Sequence, residues 1–205
     1  MKEGQVINIS HIYSLNFRIA KQIIGCSDVI MPYIINTVEN TIFNTIILSP
    51  PGRGKTTLLR DSIRNLSNGI RKIGFKGINV GVVDERGEIA AMYKGIPQND
   101  LGERIDILEN ISKDLGMKML VRSMNPSVIA ADEIGTREDI EAINYAITSG
   151  IKGIFTAHGD SLKDITLNPI LSKLYDLGII ERILLIEKDR SIKLIYNSKT
   201  QVAES

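Results

Sequence analysis

One short segment, residues 49–57, constrains the fold of this chain more than any other. It reads Ser-Pro-Pro-Gly-Arg-Gly-Lys-Thr-Thr and matches the pattern G-x-x-x-x-G-K followed by Ser or Thr, except at the first position, where Ser49 replaces glycine. The apolar, β-branched residues 45–48 before it predict a buried strand. Lys55–Asn68 predicts a helix, since its leucines and isoleucine are spaced for one face. A strand that enters a helix through such a loop is typical of phosphate-binding α/β proteins.

The residue types in this loop suit the binding of a nucleoside triphosphate. Gly52 and Gly54 let the backbone curl so that its N–H groups point inward at an anion, whereas the two prolines before them have no N–H to offer. Lys55 is expected to reach the β and γ phosphates of ATP, and the Thr56 hydroxyl to hold Mg²⁺. The alternative, a glycine turn with a surface lysine, is disfavoured by the strand and helix on either side. The predicted nucleotide-binding residues are Pro51, Gly52, Arg53, Gly54, Lys55, Thr56 and Thr57.

A second apolar run ends in two adjacent carboxylates. Residues 127–131 read Ser-Val-Ile-Ala-Ala and lead directly into Asp132 and Glu133. In an open α/β sheet, ligands bind at the carboxyl ends of the strands. We therefore predict that Asp132 orients Mg²⁺ and that Glu133 activates the attacking water. An exposed acidic pair on the surface is the alternative.

Two further predicted strands also end in polar residues. The segment 82–88, Val-Val-Asp-Glu-Arg-Gly-Glu, offers Asp84, Glu85 and Glu88 to the γ-phosphate side of a site, or else a solvated turn with an Asp84–Arg86 pair. His158 follows the strand predicted over residues 153–156 and could sense the γ-phosphate, or simply cap a loop. Which glutamate is the catalytic base, Glu133 or a member of the 84–88 group, stays open at this point.

The order of predicted elements defines the fold class. Short apolar strands alternate with amphipathic helices, which predicts an α/β fold with a mostly parallel sheet covered by helices on both faces. Residues 101–108 and 162–175 are predicted to be helical, the latter with a break at Pro169. Residues 182–187 and 192–196 are predicted to close the domain as a β-hairpin.

The chain is expected to consist of one nucleotide-binding domain with short extensions. A short helical N-terminal segment is predicted over residues 1–40, with helical spacing over 16–24 and a turn followed by a second short helix within 28–38, where Pro32 lies. The P-loop domain is predicted over 41–197 and a loose tail over 198–205. No stretch approaches the length of a membrane span and the N-terminus lacks the apolar region of a secretory signal, so a soluble cytoplasmic protein is expected.

Composition argues against several other classes of function. The net charge is +1 and aromatic residues make up 5% of the chain, whereas single-strand nucleic-acid grooves are usually basic and rich in aromatic residues. A RecA-like ATPase acting on nucleic acid is therefore only an alternative. The single cysteine, Cys26, excludes an internal disulfide, and with two histidines a zinc site is disfavoured.

Several segments together resemble a known family, the stage III sporulation protein AA ATPases. The residues that carry the resemblance are VVDERGEIA (82–90), GIPQNDLGERIDIL (95–108), RSMNPSVIAADEIG (122–135) and FTAHG (155–159). That family is similar to the ATPases of type II and type IV secretion and of pilus retraction. The resemblance implies a RecA-like P-loop NTPase core, and ATP hydrolysis coupled to the movement of a ring.

The resemblance also implies roles and partners. Residues 52–57 would form the Walker A motif, Asp132 and Glu133 the Walker B motif, 84–88 the acidic box and His158 the histidine box. Glu133, Glu85 and His158 are thus the candidate catalytic residues. The expected assembly is a homo-oligomeric ring, with a hexamer as the expected form. The ring would be peripheral to the membrane on the mother-cell side of the channel to the forespore, with membrane-embedded sporulation channel proteins as partners and no nucleic acid.

The sequence departs from the family pattern at two points. Ser49 replaces the usual glycine, where the demand on the backbone is mild. Members usually carry a longer N-terminal domain before the segment that corresponds to residues 16–33, and in secretion ATPases this domain supplies arginines in trans and ring contacts. A nucleotide-binding scaffold with little turnover is therefore a further hypothesis for this chain.

Overall fold

A seven-stranded sheet forms the centre of the computed structural model, which describes residues 10–15 and 21–198. Its strands are β3 (Thr45–Ser49), β4 (Val80–Asp84), β7 (Ile105–Glu109), β8 (Val128–Ala131), β9 (Lys152–His158), β10 (Arg182–Ile186) and β11 (Ile192–Asn197). The strand order is β11-β10-β3-β9-β8-β4-β7, and every neighbouring pair is parallel except the β10–β11 hairpin. The mostly parallel sheet and the C-terminal hairpin confirm the predicted fold class.

Helices cover both faces of this sheet, as the sequence predicts. The helices are α1 (Met31–Ile34), α2 (Lys55–Asn68), α3 (Lys113–Ser123), α4 (Arg137–Thr148), α5 (Leu162–Thr166) and α6 (Ser172–Asp176). Two two-stranded hairpins complete the elements, β1 (Ile35–Asn36) with β2 (Thr41–Ile42), and β5 (Met92–Tyr93) with β6 (Ile96–Pro97).

Two hydrophobic cores lie on opposite sides of the sheet. On one side α1 and α2 pack on alternate residues of the central strands, for example Ile47 of β3. On the other side Ile46 and Leu48 of the same strand pack with α3, α4, α5 and α6. All residues of β3, β4 and β8 are buried, which is why these strands read as continuous apolar runs rather than alternating ones.

The segment before β1 is tied to α2 through one buried carboxylate. Asp61 accepts hydrogen bonds from Ser27 N (2.8 Å), Ser27 Oγ (2.8 Å), Gly25 N (3.1 Å) and Arg64 Nε (2.8 Å). Burial alone would raise the pKa of Asp61, but these hydrogen bonds outweigh burial and the pKa lies below its usual value. The helix α2 therefore anchors the turn at residues 24–30 through its second turn.

Some of the elements predicted from sequence differ from those in the structure. Residues 101–108 were predicted to be helical, which is wrong: Ile105–Glu109 is the edge strand β7, parallel to β4. The helix α3 was not predicted. The helix predicted over 162–175 is two short helices, with the break at Pro169 as expected.

The N-terminal predictions are met only in part. Of the helix predicted over 16–24, residues 16–20 lie outside the described residues, and residues 21–24 are not helical. The turn and short helix predicted within 28–38 correspond to a turn at residues 24–30 and the four-residue helix α1, which has Pro32 in its first turn and is followed directly by β1. The proposed domain limits at residues 40 and 197 stay predictions.

Candidate active site

The site lies where four neighbouring strands end at the same edge of the sheet. The strands β3, β9, β8 and β4 are adjacent in that order, and their carboxyl ends deliver Ser49, His158, Asp132 and Asp84. The register pairs Ser49 with His158 directly. Residues separated by long stretches of sequence are thereby brought to one edge, where ligands bind in open α/β sheets.

The glycine-rich loop has the backbone geometry that its glycines permit. Gly52 and Gly54 have φ values of +75° and +97°, in the left-handed region that favours glycine. A Cβ atom at either position would have no heavy atom within 4 Å, so the requirement for glycine comes from backbone conformation and not from crowding. Gly54 is also the N-cap of α2, and the positive end of this 14-residue helix therefore faces the loop.

Lys55 lies buried at the start of α2, with 5% of its surface exposed. Its Nζ donates to the carbonyl oxygens of Ser49 (3.1 Å) and Pro50 (3.2 Å) and to Nδ1 of His158 (3.1 Å). Burial lowers the pKa of Lys55, and the carboxylates of Asp132 and Glu133 oppose this. Because its three hydrogen-bond partners are uncharged, an anion at this position would offset the cost of burying the ammonium group.

Asp132 is held between two threonines from different elements. Thr56 Oγ1 donates to Asp132 Oδ2 at 2.5 Å, and Thr156 Oγ1 of β9 donates to Asp132 Oδ1. The Thr156 hydroxyl also accepts the backbone N–H of Glu133 at 2.8 Å. Thr156, which is completely buried, therefore fixes both acidic residues after β8.

Glu133 is the end of a chain of side-chain contacts that begins at Lys55. Since the Lys55 ammonium can only donate, His158 accepts at Nδ1 and its proton lies on Nε2, which is 3.2 Å from Glu133 Oε1. The other carboxylate oxygen of Glu133 is 2.7 Å from Arg86 Nη1. Glu133 adopts φ = +52°, in the left-handed region, which is unusual for a residue other than glycine.

The acidic segment 84–88 divides into residues with different surroundings. Asp84 is buried and accepts the N–H groups of Ile89 and Ala90, so it shapes its own loop. Glu85 pairs with Lys113 of α3 (2.6 Å), and both border a cavity of about 20 Å³ beside Asp132 and Glu133. Glu88 borders this small cavity and also the larger cavity at the phosphate loop.

A cavity of about 160 Å³ lies against the loop and brings most of the predicted residues together. It is lined by residues 51–57 except Arg53, and by Glu88, Glu133 and His158. Three predicted residues do not line it. Asp132 lies behind Thr56 and is held by Thr56 and Thr156, Glu85 is held by Lys113, and the Arg53 guanidinium donates to the Lys188 carbonyl oxygen at 2.9 Å.

Two residues that shape the site were not predicted from the sequence. Thr156 is one of them. The sequence feature that could have indicated it is a hydroxyl side chain within the apolar strand β9, two positions before His158. The other is Arg60, which is 3% exposed and donates to the carbonyl oxygens of Glu88 (2.6 Å) and Ile89 (2.9 Å). The sequence feature that could have indicated Arg60 is its position among the leucines of α2, on the face of the helix that packs against the sheet.

The oxygen atoms of Thr56 and Asp132 could hold Mg²⁺. Magnesium prefers such oxygen ligands and usually takes one or two from the protein and the rest from phosphates and water. Among residues 10–15 and 21–198, no cluster of three or more His, Cys, Asp or Glu side chains is placed to hold a metal. Thr56 and Asp132 therefore fit a magnesium ion that arrives with a nucleotide.

The mostly parallel sheet, the glycine-rich loop at the start of α2 and the acidic strand end define a P-loop ATPase fold of the RecA-like type. The chain belongs to the family described as sporulation stage III, protein AA, whose model matches residues 1–203. The stage III sporulation protein AA of Bacillus subtilis (strain 168) is 38% identical over 204 residues, or 98% of this chain. The recognition of this family from the sequence is thus confirmed.

Solved structures of similar fold include an ATPase and a pilus retraction motor. The ATPase DotB of Legionella pneumophila matches with a TM-score of 0.55 at 16% identity, over 82% of this chain and 47% of that one. The pilus retraction motor PilT, solved with bound ADP, matches with a TM-score of 0.53 at 18% identity, over 74% of this chain and 46% of that one. At such low sequence identities, the similarity is evidence for a shared fold only.

The chain spans 65% of the length of its Bacillus subtilis relative and about half of the two ATPases of known structure. Within the part of the chain that the structure describes, no helix is both long enough and apolar enough to cross a bilayer.

Proposed function

We propose that this chain binds ATP with residues 51–57 and hydrolyses it, as a subunit of a ring-shaped motor. The observation that carries the proposal is the line of contacts from Lys55 through His158 to Glu133, beside the cavity at the phosphate loop. A lysine for phosphate and a carboxylate for water, at one cavity, are groups that ATP hydrolysis requires of a P-loop protein.

The triphosphate is bound by the loop and by Lys55. The N–H groups from Gly52 onward and the N-terminus of α2 surround the phosphates, and Lys55 exchanges its carbonyl partners for phosphate oxygens. Thr56 and Asp132 would hold Mg²⁺, which would neutralise negative charge on the triphosphate. Pro51 and Thr57 complete the proposed nucleotide contacts, and Arg53 has to leave the Lys188 carbonyl oxygen before it can join them.

Glu133 is the proposed base. It accepts a proton from the attacking water, whose oxygen bonds to the γ phosphorus while the bond to the bridging oxygen of ADP breaks. Thr156 holds Glu133 and Asp132 in position during this step through its hydrogen bonds to both residues. Glu133 has to leave Arg86 to reach the water, and Glu85 has to leave Lys113 before it can take part in catalysis.

His158 is the proposed sensor of the γ-phosphate. Its ring contacts both the lysine that binds phosphate and the carboxylate that activates water. When Lys55 turns to phosphate, Nδ1 of His158 loses its donor, and the contact between Nε2 and Glu133 changes with it. The release of phosphate is thereby passed to β9, the strand that carries His158.

The partners and the location follow from the family. We propose a homo-oligomeric ring, with a hexamer as the expected form, peripheral to the membrane on its cytoplasmic, mother-cell side and facing the forespore. Membrane-embedded sporulation channel proteins are the proposed partners, with no nucleic acid. Family membership and the likeness of the fold to a pilus retraction motor support this.

The proposal is tested by measuring ATP hydrolysis against protein concentration, with light scattering on the same samples. Lys55→Ala is expected to lose nucleotide binding and turnover, because it removes the cation at the cavity. Lys118→Ala is the matched control, since Lys118 lies on α3 and pairs only loosely with Asp114 (3.6 Å).

Turnover that rises with assembly and is absent in Lys55→Ala would support a ring whose active sites are completed between subunits. ATP binding without turnover in every state of assembly would refute hydrolysis and leave a nucleotide-binding scaffold. Equal turnover in Lys55→Ala and Lys118→Ala would refute the site itself.

A further inference from the structure

The hairpin of β5 and β6 presents an exposed apolar pair beside a lysine. Tyr93 and Ile96 pair directly across the hairpin, so their side chains lie on one face, and each is 63% exposed. Lys94 and Gly95 form the turn between them, and the Lys94 ammonium lies 5.4 Å from the centre of the Tyr93 ring. Tyrosine, which combines a large apolar ring with a polar hydroxyl, is enriched at protein interfaces. Residues 93–96 are called the hairpin tip below.

The base of this hairpin is tied to the acidic segment of the active site. The backbone N–H groups of Ile89 and Ala90 donate to the Asp84 carboxylate. The Ala90 carbonyl oxygen in turn accepts the N–H groups of Gln98 (3.1 Å) and Asn99 (3.2 Å), at the end of the hairpin. The hairpin tip is therefore held in a fixed position relative to β4 and the carboxylates that follow it.

A groove of about 450 Å³ lies on the other side of the site, beside the turn between β10 and β11. Its apolar walls are Pro50, next to the phosphate loop, and Leu185 and Ile186 of β10. Its charged walls are three carboxylates and one ammonium group, those of Asp160, Glu187, Asp189 and Lys188.

The negative charge of this groove is in excess after its internal pairs are counted. Glu187 is offset by Lys193 at 3.0 Å. Asp160 and Asp189 then outnumber the ammonium group of Lys188 among the lining residues. The groove therefore suits a partner that carries apolar side chains and a positive charge.

The hairpin tip and the groove lie far apart at the same edge of the sheet. The hairpin follows the carboxyl end of β4 and the groove adjoins the carboxyl end of β10, with β8, β9 and β3 between them. Four strand spacings of about 4.8 Å separate β4 from β10 by about 19 Å. The strands β5 and β6 contain two residues each, or about 7 Å of strand. The hairpin tip therefore cannot reach the groove of its own chain.

We propose that the hairpin tip of one copy docks in the groove of a second copy of this chain, in a head-to-tail contact. The inference rests on the proposed function, since the ring is the assembly that this contact would build. The two surfaces are complementary in charge and polarity: an ammonium group meets acidic walls, and an apolar pair meets apolar walls. A contact between two different patches is heterologous, and its repetition closes into a ring when the rotation between subunits allows it.

This contact would connect the active sites of neighbouring subunits. The Pro50 carbonyl oxygen, on the groove side, accepts a hydrogen bond from Lys55 at 3.2 Å. Nucleotide that draws Lys55 away from Pro50 therefore acts on the wall that holds the neighbour's hairpin tip. That hairpin is fixed to the acidic segment of the neighbour, so occupancy of one site bears on the carboxylates of the next.

Sedimentation velocity over a range of protein concentrations tests the contact. Tyr93→Ser removes the aromatic ring and Lys94→Glu reverses the charge of the hairpin tip. Each is expected to weaken assembly about tenfold or more, because buried aromatic anchors and close charge pairs dominate interface energies. Tyr145→Ser on α4 and Lys118→Glu on α3 are the matched controls and are expected to assemble like the native chain.

Variants of the groove test the direction of the contact. Asp160→Lys is expected to weaken assembly as Lys94→Glu does, and the chain that carries both changes is expected to recover it. An equimolar mixture of Tyr93→Ser and Asp160→Lys chains is expected to form dimers and nothing larger. In that mixture each pair has one intact hairpin tip and one intact groove, and the two outer ends are defective.

Cross-linking gives an independent test, because Cys26 is the single cysteine and can be replaced. In a Cys26→Ser chain, Lys94→Cys together with Lys188→Cys is expected to give a ladder of oligomers with a short bismaleimide. Neither cysteine alone should cross-link, because a head-to-tail contact does not bring identical residues together. Dimers formed by Lys94→Cys alone would show a symmetric contact and overturn the inference.

The remaining outcomes separate this inference from the proposed function. Assembly that is unchanged in both Tyr93→Ser and Lys94→Glu would overturn the inference and leave the ring standing on another surface. Native chains that stay monomeric at every concentration, with and without ATP, would overturn it as well, while ATP binding by calorimetry would leave the nucleotide site standing. Assembly that depends on the hairpin tip, in a chain that does not hydrolyse ATP, would support the inference and refute the proposed hydrolysis.

Discussion

The two sides of the phosphate loop differ in how many hydrogen bonds their side chains already make within the protein. On the side of Lys55, Asp132 and Glu133, the charged and polar side chains are bonded to one another. No buried side-chain nitrogen or oxygen among the described residues lacks a partner. On the side of Ile23 and Ile192 the walls of the adjoining cavity are mainly apolar and the space is larger. A ligand must therefore exchange hydrogen bonds on the first side, whereas it needs only to fit on the second.

This difference predicts that the two sides contribute to different quantities, namely turnover and affinity. Substitutions of the acidic and hydroxyl side chains on the polar side should change turnover more than affinity, because these groups act on the reacting atoms or position the groups that do, whereas Lys55 contributes to both. Substitutions on the apolar side should change affinity, because contact there is about equal before and during the reaction. The variants below test that division.

The largest effect is expected from Glu133→Gln on the polar side. The amide cannot accept a proton from water, so turnover is expected to fall by about 10²–10⁴, while the affinity for ATP stays within a few-fold. Single-turnover kinetics and calorimetry measure the two quantities separately. Glu138→Gln, on the exposed first turn of α4, is the control. Undiminished turnover in Glu133→Gln would remove the assignment of the base.

Thr156→Val tests whether the buried hydroxyl positions both acidic residues. The change keeps the shape of the side chain but leaves Asp132 Oδ1 and the N–H of Glu133 without their partner. The free energy of unfolding is expected to fall by about 1–3 kcal/mol, and turnover by about tenfold. Urea unfolding and steady-state kinetics measure these, with the exposed Thr148→Val as control. If stability falls and turnover is unaffected, Thr156 has only a structural role.

Asp61→Asn tests the anchor of the apolar side. Hydrogen bonds hold the pKa of Asp61 below its usual value, so its contribution to stability is complete above the unfolded pKa of about 3.9 and is lost as the pH falls through the lower folded value. At neutral pH the variant is expected to be about 1–3 kcal/mol less stable. The difference from the native chain should narrow below about pH 3.9.

Urea unfolding at a series of pH values measures this effect, with the exposed Asp176→Asn as control. A difference in stability that stays constant down to the lowest pH would show that the charge of Asp61 is not responsible. ATP affinity in Asp61→Asn should fall more than turnover at saturating ATP, because Asp61 holds the turn that carries Cys26.

The smallest effect is expected from Arg86→Ala. The Arg86 side chain is 62% exposed, and such an ion pair contributes less than about 1 kcal/mol, which corresponds to about fivefold in any rate or affinity. Steady-state kinetics at low and high salt measure the effect, with Arg137→Ala as an exposed control. A loss of turnover much larger than fivefold would show that Arg86 acts on the reaction and not only on the resting position of Glu133.

The sequence was informative where the pattern is local. The helix α2 has the predicted bounds, because a glycine N-cap and an apolar face define it within a single segment. The strand β7 was missed because it is a half-buried edge strand, so its residues show neither a continuous apolar run nor a strict alternation. The helix α3 contains Gly116, which lowers its helix propensity but is needed, since a Cβ there would lie 2.6 Å from Val83 Cγ1.

The site was predictable in its residue types but not in its contacts. The loop and the pair Asp132 and Glu133 stand out as motifs. The role of Thr156 depends on the pairing of β8 with β9, and the pairing of Glu85 with Lys113 depends on where α3 packs. Neither contact can be predicted before the sheet order and the packing of α3 are known. For this reason Glu85 was predicted to lie in the catalytic cavity, whereas it lies beside that cavity.

The sheet order also bears on how this chain acquires its site during synthesis. The strand β3 pairs with β9, and Lys55 meets His158 across a separation of 103 residues. Contacts between such distant residues form slowly, and chains emerge from the ribosome with the N-terminus first. The glycine-rich loop and α2 are therefore made long before their partners. A nascent chain has no complete site until β9 has been translated, so nucleotide capture would mark the pairing of β9 with β3.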